Sequence, residues 1–256
     1  MSAALEIAAI GLRVQQRALE TIANNISNMN TPAYKRAEVR FSELVDQPVT
    51  ADADTQTVSH FDSVAGVGLT SRPMVDVQGQ MEVTGNLRDL AIDGSGFIEL
   101  MGPAGKTLLW RGGTLRVLED GVLATASGVP LKANISVPTE ATGFRIDRDG
   151  KVYATVPNQT SDSQIGTLNL VKMSDAASVE RLDGGIYAVA DQSQLTEAAP
   201  GEDGVGYIVQ ASQERSNVDL NTEMVGMLIS QRAYAANAQV IRAADELMSI
   251  ANGLRR

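Results

Sequence analysis

The chain contains no cysteine among its 256 residues. Disulfide bridges, thiolate metal sites and cysteine nucleophiles are therefore excluded. Aromatic residues make up only 4% of the chain, whereas hydrophobic residues make up 43%. A chain of this length and apolar content can bury a sizeable core, and that core must be aliphatic and rich in alanine.

Side chains suited to catalysis or metal binding are also scarce. The only histidine, His60, lies in a polar segment, so a zinc site or a Ser-His-Asp triad would have to be built around it. Gly94-Ser95-Gly96 lacks the third glycine and the following helix of a dinucleotide loop, and we interpret it as a strand turn. The acidic pairs Asp52/Asp54 and Glu202-Asp203 lack the spacing of a calcium loop. We therefore predict no enzyme, no catalytic residue, no cofactor and no metal.

Export and membrane signals are missing as well. The first residues have no basic region, and Glu6 and Arg13 interrupt the apolar stretch that a secretory signal requires. No apolar run approaches the length of a membrane span. These features favour the cytoplasm, unless the chain leaves the cell by a route without a cleaved signal.

Charge is unevenly distributed along the chain. The formal net charge is −10, yet residues 1–40 and 215–256 each carry a slight basic excess, so the middle is strongly acidic. An acidic middle argues against nucleic-acid binding and for an outward-facing body. The nearly neutral ends suit close packing against further copies.

Both ends of the chain show helical periodicity. Leu5, Leu12, Leu19 and Ile26 recur every seven residues, although Gln15 and Gln16 make the coiled-coil match imperfect. We expect this helix to end among the asparagines before Pro32.

The C-terminal helix is predicted over residues 217–253 and carries two apolar rows. The first row is Leu220, Met227, Tyr234, Ile241 and Met248, and the second is Val225, Ile229, Ala236, Val240, Ala243, Leu247, Ile250 and Leu254. Together they are too wide for a helix that covers one small core. We expect Ser216 or Asn217 as the N-cap, with Asp219 in the first turn.

The middle of the chain alternates with period two. Phe144 and Ile146, then Val152 and Ala154, flank Asp149-Gly150, which predicts a hairpin with a type I′ turn. Other Asp-Gly pairs separate short apolar runs, and Trp110 is interpreted as a half-buried strand residue. The fold class is therefore α+β, with a coiled-coil-like terminal-helix domain and an all-β middle domain. The predicted domains are 1–41 with 211–256 (helical assembly), 42–84 (extended connector or β-ribbon) and 85–210 (β-rich outer domain).

Several motifs resemble those of bacterial flagellar rod and hook proteins. The segment TIANNISNMNTPAYK, residues 21–35, is similar to the N-terminal motif of that family, and SNVDL, EMV and QRAY, within residues 216–234, are similar to its C-terminal motif. DLAIDGSGF (89–97) and PGEDG (200–204) also match. The resemblance covers nearly the whole chain, and length and connector size are more similar to the distal rod member than to the proximal one.

The resemblance implies a structural subunit of the basal-body rod, a hollow helical shaft that crosses the periplasm and links motor to hook. Expected partners are further copies of the chain, other rod and hook proteins, the surrounding ring bushing and the type III export apparatus. No nucleic acid and no membrane insertion are expected. We expect the assembly contacts at a set of residues from both terminal motifs and helices: Leu5, Leu12, Leu19, Asn24, Asn25, Ile26, Asn28, Thr31, Pro32, Tyr34, Lys35, Asn217, Val218, Leu220, Met227, Gln231, Arg232, Tyr234, Ile241 and Met248.

One position departs from the family pattern. The family usually has glycine before the aromatic residue, where this chain has Ala33. If the position requires positive φ, alanine is strained there; otherwise the turn differs locally, or Pro32 sets another geometry.

Two alternatives stay open. One is a proximal rod or hook subunit within the same family. The other is a periplasmic β-domain that binds or hydrolyses peptidoglycan, with helical tails for oligomerisation; Trp110 and the acidic middle are its support.

Overall fold

The computed structural model describes residues 2–43, 67–157, 162–173, 179–189 and 192–253. Most of the predicted connector, with Asp52, Asp54 and His60, lies outside the described residues, as does Leu254. The sequence begins and ends with a long helix, and the strands lie between them along the chain, so the α+β class is confirmed. No helix in the described part is long and apolar enough to cross a membrane.

The elements follow in chain order as α1 (Ser2–Ser27), β1 (Ala37–Glu43), β2 (Val67–Pro73), β3 (Met81–Val83), β4 (Asp89–Asp93), β5 (Ile98–Met101), β6 (Thr107–Trp110), β7 (Gly112–Val117), β8 (Leu123–Thr125), β9 (Gly143–Ile146), β10 (Lys151–Thr155), β11 (Ser163–Thr167), β12 (Leu170–Met173), β13 (Val179–Arg181), β14 (Ile186–Val189), β15 (Leu195–Ala198), β16 (Tyr207–Gln210), β17 (Ser212–Glu214) and α2 (Leu220–Gly253). They form two compact units. The helical unit is residues 1–27, 37–72 and 219–256, and the β unit is residues 28–36 and 73–218.

In the helical unit α1 and α2 pack side by side, and β1 pairs with β2 in a two-stranded sheet. α1 ends at Ser27, within the asparagine-rich stretch, as predicted. α2 begins at Leu220 rather than at 217, because its N-cap is Asp219 and not Ser216 or Asn217. The Asp219 carboxylate accepts hydrogen bonds from the backbone N–H groups of Asn221 and Thr222, at 3.3 and 3.2 Å.

The β unit contains small antiparallel sheets with strand orders β11-β10-β9, β12-β15, β13-β14-β6-β5, β16-β4-β7-β8 and β17-β3. Beside a smaller cluster around Phe97 and Tyr187, their inward side chains form a large apolar core, which includes Leu90, Ile98 and Leu123. Trp110 belongs to this core and is only 2% exposed. The expectation of a half-buried tryptophan is therefore wrong, because β6 is covered on both faces and all four of its residues are buried.

The predicted hairpin at Asp149-Gly150 is confirmed, but its turn type is wrong. β9 and β10 are antiparallel, and Phe144, Ile146, Val152 and Ala154 are buried. A type I′ turn needs positive φ at both central residues. Among the described non-glycine residues, positive φ occurs at Ala33, Asn134, Asp203 and Ala211, so Asp149 does not qualify, whereas Gly150 has φ of 80°. The N–H of Gly150 donates to the Asp147 carbonyl at 3.0 Å, which is a three-residue connection with glycine in the left-handed position.

Candidate assembly surface

Three residue pairs define how α1 lies against α2. The Asn25 side-chain amide donates to the Glu223 carboxylate at 3.2 Å. A Cβ at Gly226 would lie 3.5 Å from Ile22 Cδ1, and a Cβ at Gly11 would lie 2.6 Å from Asn237 Nδ2. From one pair to the next, the residue number falls along α1 by as much as it rises along α2. The helices therefore run antiparallel in a single register.

The face of α1 against α2 combines small residues with Ile22, which faces Gly226. Ala8, Val14 and Ala18 are buried there, together with Asn25. The predicted row Leu12, Leu19 and Ile26 is only half-buried, at the flank of this contact. Leu5 lies in α1 as expected.

The two predicted rows of α2 differ in their surroundings. Met227, Ile241 and Met248 of the first row are half-buried, whereas Leu220 and Tyr234 are exposed. The second row is exposed along the whole described helix, and its large members Val225, Ile229, Val240, Leu247 and Ile250 are 49–63% exposed. We call Val225, Ile229, Ala236, Val240, Ala243, Leu247 and Ile250 the outer row. An exposed apolar stripe of this length is typical of surfaces that contact another molecule.

The asparagine stretch contributes mainly to contacts inside the chain. Asn25 is buried, and its side chain makes two 2.9 Å hydrogen bonds with the backbone of Ala37, one as donor to the carbonyl and one as acceptor from the N–H. Asn28 closes a turn, since its carbonyl and side-chain oxygen accept from Thr31 at 3.0 and 3.2 Å. Asn24 is exposed, as are Gln231 and Arg232 on α2.

In the β unit, the residues after Pro32 are anchored inside the fold. Ala33 is buried with φ of 56°, which confirms that the position requires positive φ. Its N–H donates to the Glu214 carbonyl at 2.7 Å. Tyr34 is buried, and the Arg181 guanidinium lies 4.0 Å from its ring centroid. Pro32 itself is exposed.

Lys35 belongs to a buried ionic cluster. Its ammonium lies 2.5 Å from Glu214 Oε1 and donates to the Val77 carbonyl at 2.7 Å. Arg111 contacts the other Glu214 oxygen at 2.8 Å and donates to the carbonyls of Gly94 and Gly96. Burial lowers the pKa of Lys35 below its usual value, against the attraction of Glu214. Two cations and one carboxylate thus join segments that are far apart in sequence.

The Asn217 side chain forms hydrogen bonds in the same region of the β unit. Its side-chain oxygen accepts from the Arg36 N–H at 2.6 Å, and its amide donates to the carbonyls of Met74 and Val77 at 3.2 and 2.9 Å. Val218 is half-buried next to it. Several of the predicted assembly residues therefore hold the subunit itself together.

Sequence reasoning missed Arg111, Glu214 and Ser230, and it assigned no contact to Glu223, the first residue of the EMV motif; all four are buried. A signal existed for Arg111, because a lone arginine directly follows the apolar strand Thr107–Trp110. No local pattern marks Glu214. Among the described residues, no group of His, Asp and Glu is placed to hold a metal.

Family models match three parts of the chain. Residues 5–35 match the model described as flagella basal body rod protein, residues 209–254 match the C-terminal model of the flagellar basal body rod FlgEFG proteins, and residues 91–154 match the D1 domain of flagellar hook protein FlgE/F/G. A flagellar basal-body rod protein FlgG from Agrobacterium fabrum is 34% identical, over 96% of this chain and 97% of its own length. The chain belongs to the flagellar basal-body rod protein family.

Other members of the rod protein family match over comparable lengths. FlgG of Caulobacter vibrioides is 32% identical, covering 98% of this chain and 99% of its own length. FlgG of Borreliella burgdorferi is 30% identical over the full length of both chains. Each of these relatives is named a flagellar basal-body rod protein.

Proposed function

We propose that this protein is a structural subunit of the distal rod, and that it polymerises into a hollow helical shaft between motor and hook. The observation that carries the proposal is the outer row of α2, which stays exposed although α1 already covers another face of the helix. Full-length similarity to rod proteins named FlgG supports the same conclusion.

The geometry of the helical unit suits an open assembly. A contact between two different surfaces, repeated without closing, generates a helical filament. The α1–α2 pair offers the outer row as one surface and the exposed residues of α1, such as Ile7 and Asn24, as another. Within the tube, the helices of successive copies would pack in a coiled-coil-like manner, with the β unit farther from the axis. Domain limits of 1–41 with 211–256, 42–84 and 85–210 belong to this proposal.

The proposed neighbours follow from this position. They are further copies of the chain, other rod and hook proteins, the ring bushing around the shaft and the type III export apparatus. The proposed location of the protein is the periplasm-spanning part of the basal body, to which it is exported without a cleaved signal peptide. Peptidoglycan binding is not supported by Trp110, because a tryptophan inside the core cannot stack on a sugar.

The deciding experiment is electron microscopy of basal bodies isolated from a strain that lacks this gene. We expect a proximal shaft that stops before the distal segment, with no hook attached. A complete rod that lacks only its hook would assign the chain to the hook, and a shaft missing from its base would assign it to the proximal rod. Intact basal bodies would contradict the proposal altogether.

A further inference from the structure

The chain passes between the helical unit and the β unit at four places, and three of these places adjoin one hydrogen-bonded region of the β unit. They lie between residues 36 and 37, between 72 and 73, and between 218 and 219. We call residues 33–36, 74–79 and 214–217 the first, second and third exit segments. Their arrangement determines where the chain leaves the β unit toward β1, β2 and α2.

Backbone contacts bring the exit segments close together. The Met74 N–H of the second segment donates to the Arg36 carbonyl of the first at 2.8 Å. A Cβ at Gly79 would lie 1.8 Å from the Arg215 carbonyl oxygen, which is closer than any side chain permits. The second segment therefore approaches the third at a distance that only glycine allows.

The Asn217 side chain binds both of the other exit segments at once. Its oxygen accepts from the Arg36 N–H at 2.6 Å in the first segment. Its amide nitrogen donates to the carbonyls of Met74 and Val77 in the second, at 3.2 and 2.9 Å. A planar amide combines an acceptor with two donors in fixed directions. Aspartate has the same size and keeps the acceptor, but it loses both donors and would place a carboxylate beside two carbonyls.

We infer that Asn217 is a positioning residue that joins the exit segments, so that in every assembled copy the chain leaves the β unit from the same place. The inference rests on the proposed function, since a helical shaft repeats one contact geometry in every identical copy. Copies whose exit segments can separate would present their helical units in several ways and would not fit the repeat. Loss of the Asn217 bridge should therefore interrupt growth of the shaft.

The test variant is Asn217→Asp, which keeps the bond from Arg36 and removes the two donors to the second exit segment. Ser216→Ala is the matched control, because the Ser216 hydroxyl accepts from the nearby Val218 N–H at 3.3 Å. Complete rods with hooks are counted by electron microscopy of isolated basal bodies, and the exported subunit is measured by immunoblot. We expect at least fivefold fewer complete rods for Asn217→Asp, with an unchanged amount of exported subunit, and no change for Ser216→Ala.

A disulfide between the first and second exit segments can replace the lost bridge. Arg36 and Met74 are suitable positions, because Arg36 Nη1 lies 3.7 Å from Met74 Sδ and residues paired across two strands have Cα separations of about 4.5–5.5 Å, which a disulfide tolerates. The chain has no cysteine that could compete. Added to Asn217→Asp, Arg36→Cys with Met74→Cys should restore complete rods to within twofold of the unchanged chain. Arg36→Ser with Met74→Ser cannot form the bond and should restore none.

Three results would overturn the inference. A normal number of complete rods in Asn217→Asp would show that the bridge is not needed. Equal numbers with the cysteine and serine pairs would show that Asn217 acts in some way other than by joining the exit segments. Loss of the exported subunit in Asn217→Asp would give the residue a role in subunit stability instead. Failure of the rod proposal is read separately, on basal bodies from the strain that lacks the gene.

Discussion

Ala33 carries the strain that its sequence position suggested. Its φ of 56° lies in the left-handed region, where a Cβ clashes with the neighbouring carbonyl, and this costs an L-residue about 1–2 kcal/mol. The strain is maintained because the N–H is bound to Glu214 and the neighbouring Tyr34 is buried. The turn therefore retains the geometry of a glycine position although the residue is alanine.

Replacing Ala33 with glycine should stabilise the β unit. Relief of strain exceeds the extra flexibility of glycine in the unfolded chain, so we expect a gain of about 0.5–1 kcal/mol. The measurement is the urea midpoint of the full chain. Ala124→Gly, in strand β8 at an ordinary φ, is the control and should destabilise. A loss of stability in Ala33→Gly would show that the methyl group contributes more through packing than it costs in strain.

Asp89 shows how hydrogen bonds outweigh burial. Burial alone would raise the pKa of its carboxyl, but hydrogen bonds from Thr84, Thr114, Gln213 and Asn86 stabilise the charged form more strongly. The two threonine hydroxyls donate at 2.7 Å. The net effect is that the pKa of Asp89 lies below its usual value.

This lowered pKa predicts the sign of a pH dependence. Because the folded state holds the proton less tightly than the unfolded state, the contribution of Asp89 is present above its unfolded pKa of 3.8 and is lost as the pH falls through the folded value. Asp89→Asn should cost about 2 kcal/mol at neutral pH and progressively less in acid. Urea titrations from pH 7 downward test this, with exposed Asp93→Asn as the control. A cost that does not change with pH would contradict the assignment.

At the scale of elements, one face of α2 packs against α1 and another face carries the exposed outer row. The face toward α1 holds the buried polar residues Glu223 and Ser230 among half-buried apolar residues, whereas the outer row is apolar and exposed. The helix has 34 residues and a length of about 51 Å, so the outer row can contact more than one neighbouring copy.

Leu247→Asp should therefore block assembly without harming the subunit. Substitution of an exposed residue changes stability by less than about 0.5 kcal/mol, but a carboxylate in an apolar interface is strongly unfavourable. We expect lost swimming in soft agar and missing distal rods, with unchanged circular dichroism. Ser249→Asp introduces the same charge on a different face of the same helix turn and should swim normally. Equal loss of motility in both variants would show that the outer row is not the part of α2 that contacts neighbouring copies.

At the scale of the whole molecule, the buried ionic cluster joins segments of the β unit that are far apart in sequence. Glu214 is 179 residues from Lys35 and 103 residues from Arg111. Each ion is buried, so the cluster is stable only while the single carboxylate is shared between both cations.

Glu214→Ala leaves two buried cations without a counter-charge, and we expect a loss of about 3–5 kcal/mol in the free energy of unfolding. Glu99→Ala breaks the pair with Lys132, whose side chain is half exposed; it is the control and should cost less than about 1 kcal/mol. Chemical denaturation of the full chain measures both. Similar small losses in the two variants would mean that water reaches the cluster.

Much of this architecture follows from local patterns. Repeats near 3.6 and 2 residues predicted the long terminal helices, the two rows of α2 and the hairpin at residues 143–155, because amphipathic periodicity depends only on neighbours along the chain. The same local evidence misassigned the turn at Asp149-Gly150 and the N-cap of α2. An Asp-Gly pair suits several turns, and three polar residues stand before α2. The turn type is decided by the hydrogen-bond register of the two strands, and the N-cap is decided by which of the polar residues is already bound elsewhere.

Periodicity indicates which residues are buried, but the hydrogen-bond or ion-pair partner of each buried polar group is determined by the tertiary structure. Asn25 and Lys35 were expected at contacts between copies, yet within the chain they bind Ala37, Glu223, Val77 and Glu214. The first predicted row of α2 and the outer row are both apolar in sequence, and only the packing of α1 distinguishes them. Composition and spacing thus determined the elements and the family motifs. Long-range desolvation and hydrogen bonding, which no local window contains, decided which polar residues stabilise the subunit and which apolar residues remain for its neighbours.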